Sequence, residues 1–193
     1  MAAKNIDRKL TAIMFTDIVG FTSLMRADEK KALNLLYYNR QLLEPIIKKY
    51  NGEILKEMGD GTLNSFSSAI EAVRCAMEMR EKLDEMNQKW NETEFSRYWK
   101  NHGIEKITAR TGIHTGSVIA GNIGSNRMLQ YSTIGDTVNV ASRLEQRNKD
   151  FETEILFSQE IYTSLTSDLY GKAKYEGELN LKGRDTSTKA YSI

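Results

Sequence analysis

The stretch that most constrains the fold is Ala12 to Leu24, AIMFTDIVGFTSL. Its apolar run, Ala12-Ile13-Met14-Phe15, is short and is followed by a glycine and a new periodicity, which reads as a buried strand leading into a helix. Asp17 then stands where the strand ends, and Ile18-Val19-Gly20-Phe21-Thr22 turns the chain into the helix. A carboxylate at a strand end can hold a hard cation. The first turn of a helix, at Phe21 and Thr22, offers free backbone N–H groups to phosphate oxygens. Taken alone, Asp17 is equally a helix cap or a solvated carboxylate, so the rest of the chain must decide.

Downstream, Asp28 to Tyr50 carries apolar residues at helical spacing, with Asp28 as N-cap, Asn51-Gly52 as the stop and Pro45 expected to kink the helix. Glu53 to Phe66 alternates around Gly59-Asp60-Gly61, a hairpin whose turn projects Asp60. Ser67 to about Gln88 is a second helix, extended by a polar, aromatic segment from Lys89 to Lys106 that covers the domain or a partner. Ile107 to His114 and Ser117 to Ala120 read as two strands joined at Thr115-Gly116. Gly121 to Gln130 reads as a loop, Tyr131 to Ile134 as a short strand, and Gly135-Asp136 as the opening of a helix with Asp136 as N-cap. Ile155 to Phe157 reads as a strand, and Ser158 caps a short helix. Ala173 to Ile193 forms two strands around the Lys182-Gly183-Arg184-Asp185 turn. Mixed strands and helices with several hairpins predict an α/β (α+β) sandwich, in which helices cover a largely antiparallel sheet.

At 193 residues the chain has room for one domain spanning residues 1–193. A net charge of +1 argues against a nucleic-acid-coating surface and leaves room for a local basic pocket. The single Cys75 excludes an internal disulfide and fits a reducing compartment. No stretch approaches the roughly 20 apolar residues of a membrane span, and no signal peptide is visible, so a cytoplasmic location without membrane contact is expected. The N-terminal MAAKNIDRKL enters the first strand almost at once, which fits a domain excised from a longer protein with an N-terminal sensor.

If the strands ending at Asp17 and Asp60 are neighbours, their carboxylates converge. Such a pair is relieved by protonation of one member or by a divalent metal, and oxygen-only ligands suit Mg²⁺ or Mn²⁺. His102 and His114 are isolated, which disfavours zinc. Asn139 and Arg143, four residues apart, share one face of the helix opened at Gly135. That face is solvated surface or a place where a guanidinium meets a phosphoryl group. Lys56, Lys182 and Arg110 are each surface cations or ligands. Neither a GxxxxGK[ST] loop nor a GxGxxG fingerprint is present.

FTDIVGFTSL from Phe15, LKEMGDG from Leu55, ARTGIHTGSVIAGNIG from Ala109, YSTIGDTVNVASRLE from Tyr131 and LKG from Leu181 together resemble the catalytic domain of class III nucleotide cyclases, in the family's order and over nearly the whole chain. The resemblance implies a ferredoxin-like βαββαβ core with added C-terminal strands and a head-to-tail homodimer with two composite active sites. It implies two Mg²⁺ or Mn²⁺ ions per site, held by Asp17, Asp60 and the carbonyl of Ile18. Lys56 and Ser132 would read adenine, Asn139 would orient the ribose, Arg143 would stabilise the transition state, and Lys182 and Arg110 would hold the polyphosphate. The reaction implied is adenylate cyclisation of ATP to 3′,5′-cyclic AMP and pyrophosphate. Guanylyl cyclases of the family resemble this pattern with Glu in place of the lysine. Ser132 departs from the commoner Asp or Thr and leaves base choice less strict. The alternatives are a guanylate cyclase and a non-catalytic nucleotide-binding dimer. A diguanylate cyclase is disfavoured because the hairpin reads Gly59-Asp60-Gly61-Thr62.

Overall fold

The opening apolar run lies in a long interior strand, β1 (Ile6–Ile18), hydrogen-bonded on both sides. The computed structural model describes the backbone of residues 6–90, 94–125, 128–180 and 187–193, and their side chains except at 6, 90, 94–96, 122–125 and 128–132. After β1 come α1 (Phe21–Ala27), α2 (Glu29–Lys49), β2 (Glu53–Met58), β3 (Gly61–Phe66), α3 (Ala69–Trp90), α4 (Glu94–Asn101), β4 (Ala109–Ser125), β5 (Met128–Ile134) and α5 (Asp136–Phe151). β6 (Ile155–Ser158), α6 (Gln159–Tyr162), α7 (Ser167–Tyr170), β7 (Lys174–Leu179) and β8 (Thr188–Ser192) complete the chain.

Among the described residues the strands form one sheet in the order β2-β3-β1-β4-β6-β8-β7, with β5 paired to β4. The β1-α2-β2-β3-α3-β4 portion has the expected ferredoxin-like order, and β6, β8 and β7 extend it. All pairings are antiparallel except β4 with β6. Side chains alternate across a strand, and β1 divides accordingly. Ala12, Met14 and Ile18 join Ala32, Leu35, Ile47, Val73 and Met79 of α2 and α3 in the main core. Ile13 packs on the opposite face with Leu63, Val118 and Ala141 of α5. The sheet is thus covered by helices on both faces. Burying a side chain such as Met14 or Ile13, both fully enclosed, contributes about 1.5–3 kcal/mol each.

Several expectations hold. Asp28 caps α2, accepting from the Lys31 N–H at 2.9 Å. The chain leaves α2 through Asn51 in the left-handed region, φ 56°. Pro45, where a kink was expected, is exposed and does not interrupt the helix. Others need correction. The segments expected as two strands meeting at Gly116 are one continuous strand, β4, because thirteen residue pairs register it against β1. The expected loop from Gly121 belongs largely to the β4–β5 pair. The 89–106 segment holds a separate helix, α4. Its Trp99 is in the core, and Tyr98 lies under the Lys31 ammonium at 3.9 Å, so these aromatics cover the start of α2. The N-cap of α5 is Gly135, φ 154°, with Asp136 in the first turn. Ser158 stands at the N-cap of α6 but makes no capping hydrogen bond. Its hydroxyl meets the buried His114 Nδ1 at 2.7 Å, which gives that imidazole a structural place. β7 and β8 pair as expected, while the turn between them lies outside the described residues.

Candidate active site

Three local features converge at one end of β1. Asp17 is its penultimate residue and faces the α5 side, since it pairs with Arg110 of β4 in the same register as Phe15 with Gly112. Asp60 occupies the tight turn between β2 and β3. The two strands' ends are brought together by Gly61, because any Cβ there would overlap the Thr16 carbonyl while lying only 3.4 Å from Asp17 Oδ1. The Thr16 and Thr62 hydroxyls pair beneath at 2.7 Å. A glycine at 61 is therefore what allows the second carboxylate to approach the first.

The approach has an electrostatic cost. Burial, and then the negative charge of Asp17, push the Asp60 carboxyl up to about 6, against a partial offset from backbone N–H groups including that of Ile18. One cation of the chain already lies beside the pair. Arg110 reaches Asp17 Oδ2 with Nη2 at 3.3 Å, and its Nε lies 3.2 Å from Glu145 Oε1. Glu145 is 8% exposed. Its carboxyl is pushed up to about 7 by burial and then by Asp17, with Arg110 pulling the other way. Removing one partner of such a buried pair typically costs about 3–5 kcal/mol. Glu145 was not singled out from the sequence. The available signal was its i+4 spacing from Ala141 on the buried stripe of α5, and its depth depends on Gly112, where a Cβ would overlap the backbone of Ala141 and Glu145.

The other expected residues fall in two places. Lys56 is exposed on the edge strand β2, just past a bulge between Ile54 and Lys56. β5, which carries Ser132 opposite Gly121, contacts β2, the strand that carries Lys56; the Ser132 side chain lies outside the described residues. Phe21 and Thr22 form the first turn of α1, where N–H groups lack intrahelical acceptors. Asn139 is exposed and Arg143 half-buried on α5, and among the described residues neither has a hydrogen-bond or ion-pair partner. Glu145, not Arg143, faces Asp17, because two helical positions rotate the side chain by about 200°. Lys182 lies outside the described residues.

The donor set at this end of β1 suits a divalent cation. Two carboxylates and a nearby peptide group converge, one carboxyl is held far above its ordinary range, and the alternatives are absent: Cys75 is buried in the main core and His102 binds the Tyr98 carbonyl on the surface of α4. Oxygen donors of this kind fit Mg²⁺ or Mn²⁺.

The sequence profile described as "Adenylate and Guanylate cyclase catalytic domain" matches residues 4–193. This chain belongs to the class III nucleotide cyclase catalytic domain family. The cyclase domain is 30% identical over 196 residues to "Adenylate cyclase 1" of Rhizobium meliloti (strain 1021), covering 96% of this chain and 28% of that protein. It is 31% identical over 183 residues to "Receptor-type guanylate cyclase gcy-13" of Caenorhabditis elegans, covering 89% of this chain and 16% of that protein. Its fold matches the crystal structure of the adenylyl cyclase CyaB from P. aeruginosa with a TM-score of 0.79 and 29% identity, covering 97% of this chain and 95% of that one. The cyclase domain thus spans about a quarter or less of these two curated relatives. No helix among its described residues is long and apolar enough to cross a membrane.

Proposed function

We propose that this cyclase domain is an adenylate cyclase that converts ATP to 3′,5′-cyclic AMP and pyrophosphate. The observation that carries the proposal is the convergence of Asp17 and Asp60, made possible by Gly61, in a chain of this family. Asp17, Asp60 and the Ile18 carbonyl are the residues that would hold two Mg²⁺ or Mn²⁺ ions. Bound there, the metal supplies Lewis-acid activation of the ribose 3′-OH and neutralisation of phosphate charge.

The chain's own residues do the rest. Phe21 and Thr22 direct backbone N–H groups at phosphate oxygens. Arg110, held between Asp17 and Glu145 by charge, would present its Nη groups to the polyphosphate, and Lys182 is assigned to the same tail. Lys56 donates to adenine N1, which accepts, whereas guanine N1 carries a proton. Ser132 meets the exocyclic group. Asn139 orients the ribose, and Arg143 offsets negative charge growing on the α-phosphate and the leaving oxygen; loss of such a donor typically costs ~10²–10³ in rate.

Asn139 and Arg143 turn away from the Asp17 side of their own chain, so we infer that they serve the aspartates of a second copy. Two copies, head to tail, then complete two equivalent sites. A guanylate cyclase is the second reading, favoured by the likeness to gcy-13 and opposed by the donor-only Lys56. A non-catalytic nucleotide-binding dimer is opposed by the presence of all of Asp17, Asp60, Asn139 and Arg143.

The test is product identification from ATP and GTP competing in one Mn²⁺ reaction, with Asp60→Ala as control. Cyclic AMP as the main product, abolished in the control, is expected. Preferential cyclic GTP would overturn the substrate assignment, and no turnover by the verified dimer would overturn the enzyme assignment.

A further inference from the structure

Arg40 was not singled out by the sequence, and the fold gives it a specific place. It projects from α2, on the face opposite α5, toward the β2–β3 turn. Its Nη2 donates to the Gly59 carbonyl at 2.8 Å, and its Nη1 meets Glu57 Oε2 at 2.8 Å. The Arg40 side chain is 25% exposed and its Nε is buried. Both arms thus end on the β2 limb of the turn that presents Asp60, at Glu57 and Gly59.

The turn needs such a tie. β2 is the edge strand of the sheet, and Lys56, Glu57, Met58 and Gly59 are all exposed, so little packing holds the tip from that side. From the other side Gly61 rests directly against the Thr16 carbonyl. Behind the turn is a small cleft of about 30 Å³, where Thr16, Asn39, Arg40 and Asp60 meet an apolar floor that includes Leu43 and Ile54. It has room for about one or two waters. The buried Asn39 Oδ1 opens there without a protein partner. A turn backed by a cleft rather than by close-packed side chains can shift unless something spans it.

We propose that Arg40 is a positioning residue: by clamping Gly59 and Glu57 to α2 it fixes the turn so that the Asp60 carboxylate meets Asp17 at the separation a divalent cation requires. The inference rests on the reading of Asp17 and Asp60 as metal ligands. Two parallel contacts from a planar fork restrain a turn in both translation and rotation, which a single ammonium does not. Metal sites tolerate errors of only about 0.5 Å in their ligands.

The test is a Mn²⁺ titration of the purified chain, followed by the loss of the free-ion electron paramagnetic resonance signal, with melting temperature measured alongside. Arg40→Ala is expected to weaken Mn²⁺ binding about tenfold and Arg40→Lys about threefold. Arg74→Ala, which removes an exposed arginine paired with Asp168, is expected to leave Mn²⁺ binding unchanged. A purely structural role predicts a lower melting temperature with unaltered affinity. If Arg40→Ala does not fold, Arg40→Lys carries the test. Affinity within twofold of the unmodified chain in the folded variants overturns the role of Arg40 alone. An unmodified chain that takes up no Mn²⁺ overturns the metal reading, and this inference with it.

Discussion

The end of the sheet that carries Asp17 and Asp60 and the outer face of α5 that carries Asn139 and Arg143 are built on opposite terms. At the first, four titratable groups crowd together: Arg110 lies between Asp17 and Glu145, and Asp60 stands beside Asp17. At the second, a guanidinium and an amide stand without partners among the described residues. One region crowds more carboxyls together than its single arginine can hold ionised, so Asp60 and Glu145 are pushed up. The other has a cation and a hydrogen-bonding group that no described residue of its own chain engages. The same helix contributes to both, with Glu145 turned inward and Arg143 outward. The contrast is the basis for the proposed head-to-tail dimer, in which one copy's aspartates would meet the other's Asn139 and Arg143.

The largest effect expected from this division is complementation. Asp17→Ala and Arg143→Ala chains should each be nearly inactive alone. Mixed, they should regain activity equivalent to about one site per dimer, measured as cyclic AMP formed by verified heterodimers. No recovery would mean that both regions act within a single chain. Next in size, Arg143→Ala alone should lower kcat by ~10²–10³ while leaving Mn²⁺ uptake at the aspartates unchanged; steady-state kinetics with a Mn²⁺ titration separates the two, and a fall in metal affinity would break the division between the regions.

The smallest effect sharpens the electrostatic side. The Asp60 carboxyl is raised from 3.8 to about 6 in the folded chain. Between those values the folded state keeps a proton that the unfolded state has released, so this group's contribution to stability is present below pH 4 and lost as pH rises through 6. Metal-free Asp60→Asn should therefore gain in melting temperature relative to the unmodified chain as pH climbs from 4 to 7. Adding Mn²⁺ should reverse the order by stabilising only the unmodified chain. A gap independent of pH would mean that the two carboxylates do not oppose one another.

Much of the fold was legible because its signals are local. The short apolar run of β1, the Asp28 cap and the Gly59-Asp60-Gly61 turn each follow from a few neighbouring residues, and the structure has them where expected. The errors arose where a local signal met a long-range one. Gly116 looked like a turn, yet pairing with β1 over thirteen residues carries β4 straight through it. Gly116 instead makes room for Thr137, whose Oγ1 would lie 2.6 Å from a Cβ there. Trp99 lay in a segment that looked polar, and it is buried because α4 folds back onto the core.

The candidate site divides in the same way. The sequence by itself determined which groups are present: two acids at strand ends, a donor-only lysine on a hairpin, and an asparagine and arginine one helical turn apart. Those choices depend on side-chain chemistry and on spacing along the chain, which are written in the order of residues. Only the tertiary structure decided that Arg110 rests between Asp17 and Glu145, that Arg40 grips the turn beneath Asp60, and that Arg143 points away from both. Each of those facts joins elements distant in sequence, and their meeting is set by sheet order and by close contacts at Gly61 and Gly112, which no local pattern specifies.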